Sequence, residues 1–132
     1  MNNSNIIELI QQVYANVSAK NLPGVLDALT DDIKWQPPYV AAIPHTKSRS
    51  GKNEVKDFVI EMAGEVTYTQ FLPQEYYADK DTVIVKGFFE GQANHTGKSF
   101  ESEWVHIWKF RGSKICSYQA FWNTDRMLHA IQ

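Results

Sequence analysis

The sequence predicts one α+β domain, with three helices packed against one face of an antiparallel sheet. Two observations carry that expectation. Through residue 63 the apolar residues recur at helical spacing, and from Val66 onward they alternate as strands do. The chain has 132 residues, 43% hydrophobic and 13% aromatic, which suits a single core across residues 1–132.

Asn5 with Glu8 three residues later resembles a capping pair, and Ile6, Ile10, Val13 and Val17 then mark an apolar stripe to about Ala19. Asn21 is placed to cap a second helix, with Pro23 in its first turn and Val25, Leu26 and Leu29 on its stripe. Ile33 and Trp35 alternate with polar neighbours in a short strand that Pro37-Pro38 stops. Tyr39 to Ser50 shows no period and reads as a loop over the fold. Helical spacing returns from Gly51 to Ala63 through Val55, Phe58, Val59 and Met62. Four strands follow, at Val66–Leu72, Thr82–Gly91, Ser99–Phe110 and Ile115–Asn123, and Thr124 is placed to cap a short C-terminal helix.

Alternate side chains of a strand point to opposite faces. In the longest strand, one face carries Ser102, Trp104, His106, Trp108 and Phe110, a row of rings interrupted by one imidazole. By the same count Ile115, Ser117, Gln119, Phe121 and Asn123 share a face of the last strand. Large rings with sparse polar groups fit either a cavity wall or a plain core, and periodicity does not separate the two. His106, with a reference pKa near 6.5, is the best candidate acid, base or donor, against the plainer reading of a buried neutral imidazole.

The net charge is −2, from 13 basic and 15 acidic residues spread along the chain, so nucleic acid is not an expected partner. No apolar run reaches the roughly 20 residues that span a bilayer. The opening Met1-Asn2-Asn3-Ser4 has no signal-peptide character and Cys116 is the lone cysteine, so the expectation is a cytoplasmic protein. The four histidines have no metal-ligand spacing and no glycine-rich phosphate loop occurs, so neither a metal nor another cofactor is expected.

Several segments in order resemble the nuclear-transport-factor-like superfamily, in particular its SnoaL-like and ketosteroid-isomerase-related members. They are Tyr14-Ala15-Asn16, Asp31-Asp32-Ile33-Lys34-Trp35, Ser50-Gly51-Lys52-Asn53-Glu54-Val55, Thr96-Gly97-Lys98, Trp104-Val105-His106-Ile107-Trp108 and Phe121-Trp122-Asn123-Thr124. The resemblance implies a cone-shaped curved sheet around an apolar pocket, a small apolar molecule as partner, and a homodimer through the outer sheet face. It also implies a pocket walled by Trp35, Tyr39, Phe58, Met62, Trp104, Trp108, Phe121 and Asn123. Ketosteroid isomerase uses an Asp base with a tyrosine and a protonated Asp as donors. Those positions fall here on Gln36 or Pro37, on Val13 beside Tyr14, and on His106, so isomerase chemistry by that arrangement is not expected. SnoaL-like cyclases carry a Trp-then-Asp pattern before the last helix. In one register Asp125 is that acid and forms an acid/base pair with His106; in the other the position is Asn123 and Asp125 is a helix-terminus residue. The resemblance leaves two readings, a cofactor-free acid/base enzyme and a non-catalytic ligand-binding homodimer.

Overall fold

The computed structural model describes residues 2–132. Helix α1 (Asn3–Ser18) opens the chain, capped by Asn2, whose side chain accepts from the Asn5 backbone N–H at 2.9 Å. The cap thus lies three residues before the expected Asn5. Its buried row is Ile6, Ile10, Val13 and Tyr14, whereas Val17 is exposed. Helix α2 (Leu22–Asp27) is capped by Asn21 with Pro23 in its first turn, as the sequence predicts.

Strand β1 (Leu29–Gln36) follows, then a 3₁₀ turn (Pro44–Thr46), the two-residue strand β2 (Arg49–Ser50) and helix α3 (Lys52–Glu65). Gly51 enters that helix at φ +85°, a left-handed conformation that favours glycine. The remaining elements are β3 (Val66–Asp79), β4 (Thr82–Ala93), β5 (Ser99–Arg111), β6 (Lys114–Trp122) and α4 (Thr124–Ile131).

The six strands form one sheet in the order β2-β1-β6-β5-β4-β3. All neighbours are antiparallel except β1 and β6, which run parallel and join the two ends of the chain. Strand β3 runs seven residues past its expected end at Leu72, because it is the outer strand and Pro73 there interrupts no central ladder. Two register shifts, at Tyr68/Gln70 and Pro73/Glu75, mark irregularities in its pairing with β4.

The core lies between the inner sheet face and the helices. On β4 that face reads Val83, Val85, Gly87, Phe89, Gly91 and Ala93, all buried. Gly87 stands opposite Trp104, and Gly91 opposite Phe100. A Cβ on Gly87 would lie 2.2 Å from Trp104 Cζ2 and 2.5 Å from the Leu72 carbonyl oxygen. One on Gly91 would lie 2.9 Å from Phe100 Cζ. The bare glycines therefore let the β5 rings lie down across β4.

Candidate functional site

One polar cluster sits inside this aromatic core. Helix α1 delivers Tyr14 from its buried row, and the alternation of β5 delivers His106 and Trp108. Tyr14 Oη is 2.8 Å from His106 Nδ1, and Trp108 Nε1 donates to the same oxygen at 3.0 Å. An indole N–H only donates, so the tyrosine hydroxyl receives it and donates its own hydrogen to His106 Nδ1. The neutral imidazole then carries its proton on Nε2. His106 is 4% exposed, and burial depresses its pKa to about 3. Burial also pushes the Tyr14 and Tyr118 phenols up, so all three side chains are neutral at physiological pH.

The surrounding rings touch. Trp104 stacks on His106 at 4.0 Å between centroids, Trp35 stacks on Tyr118 at 3.9 Å, and Tyr118 meets His106 edge-on at 5.1 Å. Trp35 also packs against Phe58 and Trp108. Two further donors are buried here, Trp35 Nε1 and Trp104 Nε1, and neither meets an acceptor. Trp35, Phe58, Met62, Trp104 and Trp108 all belong to this core.

Other candidates lie elsewhere. Tyr39 is 66% exposed on the segment after β1. Phe121 is 48% exposed on the opposite sheet face, which corrects the face assignment made from alternation. The cause is a register irregularity where Lys109/Phe110 pair with Ser117/Ile115, so Ile115, Tyr118 and Ala120 are buried, three and then two residues apart. One extra residue in a strand reverses the parity of everything after it. Trp122, on the other face from Phe121, is half-buried and packs edge-on against Phe89 at 5.8 Å.

Asn123 is the cap of α4, in place of the expected Thr124. Its Oδ1 accepts from the Arg126 N–H at 3.2 Å, and its own backbone N–H donates to Ser102 Oγ at 2.9 Å. Asp125 is exposed in the first turn of α4, its carboxylate 3.6 Å from His129 Nδ1. His106 has Tyr14 as its hydrogen-bond partner, and no carboxylate among the described residues bonds to it. The structure does not bring His106 and Asp125 together.

Two residues are not among the sequence candidates, although Tyr14 stands one position from where the resemblance puts the isomerase tyrosine. Tyr14 continues the i, i+4 row of Ile6 and Ile10, a signal present in the sequence but assigned instead to the Val13–Val17 row. Arg49, read as loop, is buried; it donates to Glu61 Oε2 at 2.6 Å and to the carbonyl of His45 at 2.8 Å, with its guanidinium 5.7 Å from the Phe58 ring centre. That arginine holds the Glu61 carboxyl below its usual range. Two open polar clefts flank α3. One, of about 640 Å³, is lined by His45, Lys47, Arg49, Glu54, Asp57 and Glu61. Neither cleft touches the aromatic face. Among the described residues no group of three or more His, Cys, Asp or Glu lies together as metal ligands would, and no helix is long and apolar enough to cross a membrane.

A curved six-stranded sheet with helices packed against it is the α+β architecture of the nuclear-transport-factor-like class. A structure described as an NTF2-like protein of unknown function from Burkholderia pseudomallei superposes with a TM-score of 0.90, at 23% identity, covering 97% of this chain and 98% of its own. An NTF2-like protein from Burkholderia thailandensis matches at TM-score 0.85 and 25% identity over 100% and 99% of the two chains. TerC, co-crystallised with polyporic acid, matches at TM-score 0.85 and 22% identity over 96% and 98%. The SnoaL-like domain family matches residues 10–118, and the chain belongs to that family. No protein of curated function matches it.

Proposed function

We propose that this protein binds a neutral, apolar, ring-containing molecule bearing a carbonyl or similar acceptor, and holds it without acid/base turnover by His106 and Asp125. The observation that carries this reading is the imbalance of donors in the core. Tyr14, His106 and Trp108 satisfy one another, while the indole N–H groups of Trp35 and Trp104 have no acceptor. A buried unpartnered donor is unfavourable by about 1–3 kcal/mol, so a ligand that brings acceptors into the ring cluster gains that term on binding. Entry requires the rings of Trp35 and Phe58 to part, and the Arg49-pinned segment beside them is the wall that yields.

Turnover by the isomerase route lacks its proton-removing half. Gln36 is exposed, Pro37 is buried, and neither ionises as a carboxylate does. The donor half is committed elsewhere, since Tyr14 Oη accepts from Trp108 and gives its only hydrogen to His106. We further propose a homodimer through the outer sheet face, where Leu72, Tyr77, Ile84 and Phe121 are exposed apolar groups that need cover.

Quenching of tryptophan fluorescence tests the ligand reading, with polyporic acid and a panel of ring ketones and quinones as probes. Saturable quenching is expected, weakened about tenfold in Trp104→Phe, which keeps an aromatic ring but removes one of the two unmatched donors. Product analysis of the same mixtures should find the probe unchanged. Turnover abolished in both His106→Gln and Asp125→Asn would restore the enzyme reading; a panel with no saturable binder would sink the ligand reading.

A further inference from the structure

The polar cleft beside α3 has two walls of opposite charge, and the ring cluster uses neither. One wall is the segment before the helix, where His45, Lys47 and Arg49 recur at every second residue. The other is α3 itself, where Glu54, Asp57 and Glu61 fall three and four residues apart and so share one face. The space between them, about 640 Å³, is that of a small-molecule site.

Most of these charges are committed. The Arg49 side chain is 5% exposed and spends three of its N–H groups within the chain. Nε donates to the Lys47 carbonyl at 3.3 Å, and Nη2 donates to the His45 carbonyl and to Glu61 Oε2. Glu54 Oε1 accepts the Ser50 backbone N–H at 3.0 Å. The basic wall reaches across to the helix, since Arg49 foremost, then His45 and Lys47, hold the Glu61 carboxyl below its usual range.

Three groups are left over. The two N–H groups on Arg49 Nη1 have no acceptor among the described residues. Neither the Lys47 ammonium nor the Asp57 carboxylate has an ion-pair partner there. A cation and an anion thus stand on facing walls, farther apart than an ion pair spans. The charges present decide what fits between them. A plain anion drawn to Lys47 would also meet Asp57, and a plain cation drawn to Asp57 would also meet Arg49. A molecule with one charge of each sign gives every unspent group its complement, and the depth of Arg49 spares that contact much of the screening of a surface pair.

We propose that this cleft is a second binding site, for a small zwitterion of the amino-acid type whose carboxylate meets Arg49 Nη1 and Lys47 and whose ammonium meets Asp57. It is independent of the ring-molecule site, because neither cleft touches the aromatic face.

Chemical-shift titration of the isotope-labelled full chain tests this, with glycine, β-alanine and γ-aminobutyrate as probes. Acetate and ethylammonium serve as single-charge controls at matched ionic strength. At least one zwitterion should give saturable shifts confined to residues 45–61 at up to tens of millimolar, and neither control should saturate. Asp57→Asn and Lys47→Gln, both at exposed positions, should each weaken that binding about tenfold and leave the urea midpoint unchanged. Saturation by acetate as tight as by any zwitterion would overturn the proposal in favour of a plain anion site. Saturation by ethylammonium would overturn it in favour of a cation site. No saturable shift at residues 45–61 with any of the three zwitterions, or binding indifferent to both substitutions, would overturn it outright.

Discussion

Mild acid should weaken this protein before its carboxylates begin to titrate, and His106 is the reason. Burial holds its pKa near 3 in the folded chain, against 6.5 when exposed. Between those values the unfolded chain binds one more proton than the folded one, so stability falls as pH falls. The slope is about 1.4 kcal/mol per pH unit for one such group. Glu61 and Asp32 have carboxyls held low by Arg49 and Arg111, so their contribution is present above their unfolded values of 4.5 and 3.8 and is lost only below them. The window from 6.5 down to 4.5 therefore isolates the imidazole. Across it the folded state should lose roughly 2–3 kcal/mol, a large share of the 5–15 kcal/mol typical of a domain. The measurement is urea unfolding by tryptophan fluorescence across that window, in the wild type and in His106→Gln, which keeps an acceptor for Tyr14 but does not ionise. The midpoint should fall steadily in the wild type and stay nearly flat in the variant, with the m-value unchanged. A wild type flat within about 0.5 kcal/mol, or two declines in parallel, would refute the assignment of a buried neutral imidazole.

Gly87→Ala should destabilise by about 1–3 kcal/mol or more, since its Cβ meets both the Trp104 ring and the Leu72 carbonyl, and the near-ultraviolet circular dichroism of Trp104 should change. Gly64→Ala is the contrast: it lies within α3 with nothing within 4 Å, and should stabilise by about 0.5–1 kcal/mol in the same denaturation assay. Arg49→Ala should accelerate hydrogen exchange through residues 40–50 and lower stability by about 2 kcal/mol, because it frees Glu61 and two carbonyls together. Glu61→Gln should do much less, its side chain being half-exposed with Arg49 still bonded to the carbonyls.

How legible was this in the sequence? Local signals were. Asn21 and Pro23 marked the start of α2, and the alternation of β5 gave its buried face from Ser102 to Phe110. Non-local and irregular features were not. The parallel pairing of β1 with β6 joins residues some eighty positions apart, and no periodicity encodes a partner. The parity of β6 was lost at one register irregularity, which exchanged Phe121 for Tyr118 and Ala120 in the core. The aromatic face was expected to line a hollow, but the alternation of β5 alone does not reveal that β4 is bare at Gly87 and Gly91. Those glycines decide that the rings lie flat and touch. Arg49 escaped because burial of a loop cation depends on Glu61, twelve residues away on α3.

The two faces of β5 carry independent information, and that independence is itself physical. Odd and even residues leave the strand on opposite sides, so the inner row of Trp104, His106 and Trp108 meets Tyr14 of the same chain, while Glu103 and Lys109 see only the outside. Inside, the Trp35 and Trp104 donors are neutral and unmatched, so the binding proposed above would select through desolvation: an anion entering would leave water for a core whose buried cation, Arg49, is already bonded to Glu61. Outside, the charges of Glu103 and Lys109 are solvated, so each contributes little to the stability of the fold. His106→Gln should accordingly leave the association state of the chain unchanged, and Glu103→Lys should leave the acid limb of stability unchanged. Coupling between the two would mean that the twist of β5, rather than its side chains, sets both surfaces.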